Sequence, residues 1–324
     1  SKARHSTEPA KSWSEMMADF LRAKDDPEEL KVWVNTRKGE PWSERVVDHK
    51  PEVLTRVSRS NYRLGDQVDD LVAVTAAVDV QQDGFWWSVR GWGQDLESWG
   101  LALGYADTWE EIIREIIEGL FSGLPPALVG VDSGYEAGEV YDVASSYPDM
   151  VRATKGSSSP MTAPFAANRI ERHPDTGSPL PGVILWRLNT EFFKDRMTRL
   201  LVPPKDLPSK WHMPADTPQE YWNHLTAETK VRTRHKKTGQ VYYRWVPKSK
   251  SAANHYLDTE VINLSLAFML GLFGPGKGSS ATARAEQAAI QRPVGRPKGS
   301  SNTGTRSENR RRLRPGFSSR RRGW

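Results

Sequence analysis

The chain has 324 residues, 37% of them apolar and 13 of them Trp, which suffices for one large domain or two smaller ones and excludes wholesale disorder. It contains no Cys, which excludes disulfides and thiolate zinc sites, so any metal must be held by oxygen or imidazole. The net charge of +6 hides an asymmetry: residues 275–324 carry 13 Lys and Arg against two acids, a net of +11, and the remainder carries −5. The longest apolar run, 264–273, is too short to span a bilayer. No signal peptide is visible, and a chain that does not begin with Met reads as a fragment.

In chain order, residues 13–21 and 27–35 read as short helices, the first capped by Ser12 with Glu15. An irregular stretch to about Asp70 is expected next. A strand at 71–80 and a turn at Gln81-Gln82-Asp83-Gly84 lead into strands near 85–92 and 98–105, an antiparallel meander. Asp107-Thr108-Trp109-Glu110 has the form of a capping box with Asp107 as N-cap. It opens a helix that sets Ile112, Ile113, Ile116, Ile117 and Leu120 on one face. A strand at 127–132, a helix near 137–146 and a strand at 150–154 ending in Lys155-Gly156 follow. Residues 157–182, full of Ser, Pro and Gly, read as a long loop, and a strand at 183–188 then enters a helix at Asn189 or Thr190. A polar segment and a hairpin-like pair precede the last helix, about 256–270. Three meandering strands, a crossover helix, a parallel strand and then alternating helix and strand are the element order of an α/β, RNase H-like fold. The expected division is a linker at 1–70, an RNase H-like domain at 71–272 and a disordered basic tail at 273–324.

Two of these strands end on an acid, in Val78-Asp79 and Val131-Asp132, and Asp258 stands at the start of the last apolar helix. A lone Asp after a strand is often the first residue of a turn. Two of them on strands that the fold makes neighbours fit a site at the sheet's edge, the more so since Ser133-Gly134 permits close backbone approach. Three acids converging from distant positions suit a two-metal phosphodiesterase, whose ions lie roughly 3.5–4 Å apart and share a carboxylate. An oxygen donor set selects hard ions, magnesium or manganese. His255, three residues before Asp258, reads either as a group near a metal or phosphate or as a surface residue at a helix end.

Lys230, Arg232, Arg234, Lys236, Lys237 and Arg244 surround the turn Lys237-Thr238-Gly239-Gln240. This basic hairpin either lines a duplex or covers the site without DNA; the plainer alternative is a sheet edge protected by charge. Lys155 is a further candidate for DNA contact. Glu228-Thr229-Lys230 offers a rival site, the Glu-x-Lys core of restriction-like PD-(D/E)xK nucleases, but would leave Asp79 and Asp132 unused. In the tail, Gly295-Arg296-Pro297 resembles an AT-hook core, an extended strip that enters the minor groove; the basic charge of Arg296 and its neighbours is expected to bind phosphate nonspecifically or to meet an acidic partner, the plainer alternative being a solubilising tail.

A family resemblance joins these motifs. Val78-Asp79-Val80-Gln81, Val131-Asp132-Ser133-Gly134, Lys155-Gly156 and Asn254-His255-Tyr256-Leu257-Asp258 resemble, in order, the nuclease-domain signatures of the lambda-type large terminase subunits of tailed phages. Residues 34–42, Val-Asn-Thr-Arg-Lys-Gly-Glu-Pro-Trp, are similar to the family's segment joining motor to nuclease. The resemblance implies an endonuclease that cuts concatemeric double-stranded viral DNA during head filling, with two magnesium or manganese ions on Asp79, Asp132 and Asp258. It implies as partners an ATPase motor domain, a small terminase subunit and a portal that docks at the C-terminus, all working in the host cell cytoplasm. No G-x-x-x-x-G-K-[ST] loop occurs, and Gly274-Pro275-Gly276-Lys277 lacks its spacing, so this chain reads as the nuclease half. Where the family tends to have Asn-Glu, this chain has Asn254-His255. A noncatalytic DNA-packaging or scaffold protein that kept the fold is the alternative from another class.

Overall fold

Side-chain alternation decides the centre of the molecule, a computed structural model that describes residues 12–23, 33, 44–203, 207–234, 239 and 241–272. The first elements are helix α1 (Trp13–Ala23), strand β1 (Glu44–Val47) and helix α2 (Pro51–Ser58). In strand β2 (Ala73–Gln81), Val74, Ala76, Val78 and Val80 enter one apolar cluster while Ala77 enters another, so Thr75, Ala77 and Asp79 share the second face. A two-residue turn brings β3 (Gly84–Trp92) back antiparallel, with Gly84 at φ +146° where a Cβ would strike Tyr105 and the Ala106 carbonyl. Strand β4 (Ser98–Ala106) completes the meander.

Helix α3 (Trp109–Ile112), continued by one π turn (Ile113–Ile117), then crosses over to β5 (Leu128–Asp132), which lies parallel to β2. Helix α4 (Ala137–Ser146) leads to β6 (Val151–Gly156), parallel to β5. Strands β7 (Phe165–Arg169), antiparallel, and β8 (Ile184–Leu188), parallel to β6, extend that side. Helix α5 (Thr190–Leu201), strand β9 (Trp211–His212) and helix α6 (Gln219–Leu225) follow, with β9 pairing to β4. The hairpin β10 (Glu228–Arg234) and β11 (Val241–Pro247) forms a small second sheet with β1, and helix α7 (His255–Met269) ends the described chain.

The large sheet has the order β7-β8-β6-β5-β2-β3-β4-β9. Its five central strands, an antiparallel meander followed by two strands parallel to the first, make an RNase H-like fold. One face is covered by α3, its π turn and α4 through Ile112, Ile116, Ile117, Val140 and Tyr141; the other by α5, α6 and α7 through Phe193, Met197, Trp222, Leu264 and their neighbours. Helix α7 is buried along nearly its whole length. Toward the sheet it presents polar residues every four positions: Asn263 bonds Thr75 and Ser88, Thr259 bonds Ser88, and His255 bonds Asp79. That stripe fixes the helix in register over β2 and β3. Among the described residues no helix is long and apolar enough to cross a membrane.

Several expectations are corrected. The stretch before Asp70 is not irregular: β1 pairs with β10, and Leu54 of α2 is in the core. Thr108, not Asp107, caps α3; its hydroxyl accepts from the Glu111 amide, and Glu111 reaches back to the Asp107 amide at 2.9 Å. The π turn widens the helix, whose end precedes Leu120, and so leaves Leu120 70% exposed. The loop at 157–182 contains β7, and the polar segment before the hairpin contains α6. The Ser12–Glu15 capping box forms as expected. Apart from Trp33, packed on Phe20, the expected helix at 27–35 lies outside the described residues, as do the motif at 34–42 and the tail from 273.

Candidate metal-binding active site

Asp79 lies on the inward face of β2, two residues before its end, and is 3% exposed. Its carboxylate is held at both oxygens: Gln81 Nε2 donates to Oδ1 and His255 Nδ1 to Oδ2, each at 2.9 Å. Val78 pairs with Val131 in the parallel ladder, so the next residues, Asp79 and Asp132, stand on neighbouring strands about 4.8 Å apart along the sheet edge. The Asp132 carboxyl is pushed up to about 6, by burial first and then by the Asp79 charge; the Gly134 and Ser133 amides and Lys155 pull the other way. Asp258, in the first turn of α7, is pushed up to about 7 by burial. Lys194 opposes that rise, and the charges of Asp79, Glu228 and Asp132 add to it. The three acids therefore sense one another across the gap between sheet and helix.

Behind Asp258 lies a network built on α5, β10 and the residue before α7. Lys194 Nζ donates to both Glu228 oxygens at 2.7 and 2.8 Å and lies 3.8 Å from Asp258 Oδ1. Asn254 Nδ2 donates to Glu228 Oε1 at 3.1 Å and to Asp258 Oδ2 at 2.9 Å. Lys194 is the buried cation that the sequence reading missed, although a signal existed: it interrupts the apolar stripe of Phe193, Met197, Leu200 and Leu201.

A divalent ion fits this donor set. The acids are all oxygen ligands; burial first, and their mutual repulsion after it, raises two of them toward neutrality, and a hard cation relieves both. Among the described residues no three His, Cys, Asp or Glu side chains stand close enough together to enclose one ion already. Asp79 and Asp258 are engaged instead by protein donors.

The other sequence candidates scatter. Lys155 is exposed at the end of β6, beside Asp132. Lys230 is not free for DNA: it is bound to the Asp195 carboxylate, which also accepts from Trp245 Nε1 at 2.9 Å. Glu228 faces Lys194, so the Glu-x-Lys pair does not converge on one centre. Arg232 and Arg234 are exposed on β10, whereas Lys236, Lys237 and Arg296 lie outside the described residues.

Residues 4–275 match the family described as terminase large subunit gpA, endonuclease domain. The large terminase subunit of Escherichia phage lambda is 31% identical over 110 residues, which is 33% of this chain and 17% of that protein. That of Enterobacteria phage P21 is 32% identical over 113 residues, with the same two shares. The chain thus spans about a sixth of the curated relatives it matches. Among solved structures, a mutant nuclease domain of the large terminase subunit gp2 of bacterial virus Sf6, with manganese, aligns at TM-score 0.41 and 14% identity over 66% of this chain and 97% of that one. The HK97 bacteriophage large terminase aligns at 0.34 and 12%, over 79% and 51%. With its family match covering most of its length, this chain belongs to the terminase large subunit endonuclease domains.

Proposed function

We propose that this domain is a metal-dependent endonuclease that cuts double-stranded viral concatemers during genome packaging, using two magnesium or manganese ions. The observation that carries this reading is the side-by-side placement of Asp79 and Asp132 at the C-terminal ends of parallel strands, with Asp258 charge-coupled to both from α7. Asp79, the most central acid, would be shared between the ions, Asp132 would hold one of them and Asp258 the other. Bound there, the ions would supply an activated water and neutralise the developing charge on the leaving oxygen. The protein's own part is orientation: Gln81 and His255 fix Asp79, Asn254 fixes Asp258, and exposed Lys155 offers a charge to a phosphate beside Asp132. Arg232 and Arg234 would meet the duplex further out. An ATPase motor, a small terminase subunit, a portal and the host cytoplasm complete the proposed setting.

A restriction-like site on Glu228 and Lys230 has less support, because each is committed to a different ion pair. The test is incubation of supercoiled plasmid with protein and manganese, with and without chelator. Nicked and linear product that disappears in chelator is expected, without ATP. Cleavage that persists in chelator removes the metal mechanism, and none under either condition favours a noncatalytic packaging protein.

A further inference from the structure

One turn of chain reaches two of the three acids. Asn254 and His255 are consecutive, yet Asn254 bonds Asp258 and His255 bonds Asp79, across the space between helix and sheet. His255 is the first residue of α7, and its ring is stacked on Trp86 with centroids 5.1 Å apart and planes 9° from parallel. Trp86 is the register partner of Asp79 in the β2–β3 ladder, so the indole that supports the imidazole stands beside the carboxylate it bonds. His224 closes on the ring from its edge at 5.4 Å. A carboxylate only accepts, so Nδ1 carries the proton and is spent on Asp79. Asn254 is equally committed: its amide nitrogen bonds Glu228 and Asp258, and Glu228 is pinned by Lys194.

We infer that Asn254 and His255 are a pair of positioning residues, each fixing one acid of the site. The inference rests on the two-metal reading above. It makes the pair asymmetric. Asp79 is shared in that reading, so loosening it through His255 weakens both ions; Asp258 is not, so loosening it through Asn254 weakens one. Hydrogen-bonding partners of ligands commonly contribute about 10–100-fold to metal affinity.

The experiment is calorimetric titration of the whole chain with manganese alone, with circular dichroism to confirm folding. The expected results are two bound ions in wild type, both weakened about 10–100-fold in His255→Ala, and one weakened in Asn254→Ala. His255→Asn, which keeps an N–H donor near the Nδ1 position, should recover most of the affinity. If His255→Ala unfolds, His255→Phe keeps the stack on Trp86 without the donor and carries the test. Unchanged affinities in folded variants, or His255→Asn no better than His255→Ala, would overturn the positioning role while leaving the nuclease reading intact. Wild-type protein that binds no manganese overturns both.

Discussion

Gly130 on β5 lies so close to Ile262 on α7 that a Cβ on the glycine would stand 2.3 Å from the isoleucine Cγ2. The missing side chain sets the helix-to-sheet distance two residues from Asp132 and one helical turn from Asp258. Gly130→Ala should therefore push α7 outward, costing roughly 1–3 kcal/mol of stability as overpacking does. It should also lower manganese affinity by separating Asp258 from the strand acids. Urea unfolding and a manganese titration check both; a stable variant with unchanged affinity would mean that the close approach does not position the site.

Two substitutions separate the candidate sites. Asp79→Asn removes the charge of the most shared carboxylate. It should cut cleavage by more than the ~100-fold ceiling typical of a ligand's hydrogen-bonding partner. Lys230→Ala breaks an ion pair with Asp195 and should leave the chemistry mostly in place. Plasmid cleavage rates decide, and the reverse pattern would transfer the chemistry to Glu228 and Lys230.

Acidity should act on stability and metal binding in opposite directions. Asp132 and Asp258 titrate at about 6 and about 7 against an ordinary 3.8. Between those limits the folded, metal-free protein holds more protons than the unfolded chain, so their contribution to stability is full below about 4 and is lost as pH rises toward 7. Melting in chelator should accordingly show wild type losing ground to Asp258→Asn from pH 4 to 8. Manganese affinity should rise over the same range, because the ligands must ionise. A flat difference between the two proteins would contradict the elevated acid.

The Lys194–Glu228 pair is buried on both sides. Removing one partner strands a charge, at about 3–5 kcal/mol, whereas replacing both with apolar side chains of similar size often costs little. Lys194→Ala should thus be less stable in urea than Lys194→Met with Glu228→Leu. Equal losses would mean that the pair is not coupled.

Local signals explain what the sequence made legible. Asp79 and Asp132 were readable because each follows an apolar run of its strand, and the element order makes those strands neighbours. Helices α4 and α7 were readable from their apolar runs. Strand β7 was not, since Phe165-Ala-Ala-Asn-Arg is short, lies in a Ser- and Pro-rich stretch and is defined by pairing with β8. Leu120 was placed on the wrong side because a π turn breaks the 3.6-residue period. The partners of the acids were hidden for a different reason. Lys194 meets Glu228 across 34 residues and His255 meets Asp79 across 176, contacts that only the assembled fold specifies.

Anomalous diffraction from crystals soaked in manganese tests the central claim most directly. The account predicts two manganese peaks roughly 3.5–4 Å apart, with Asp79 touching both, Asp132 one and Asp258 the other. No peak among these three carboxylates, or a peak on Glu228 and Lys230 instead, would contradict it.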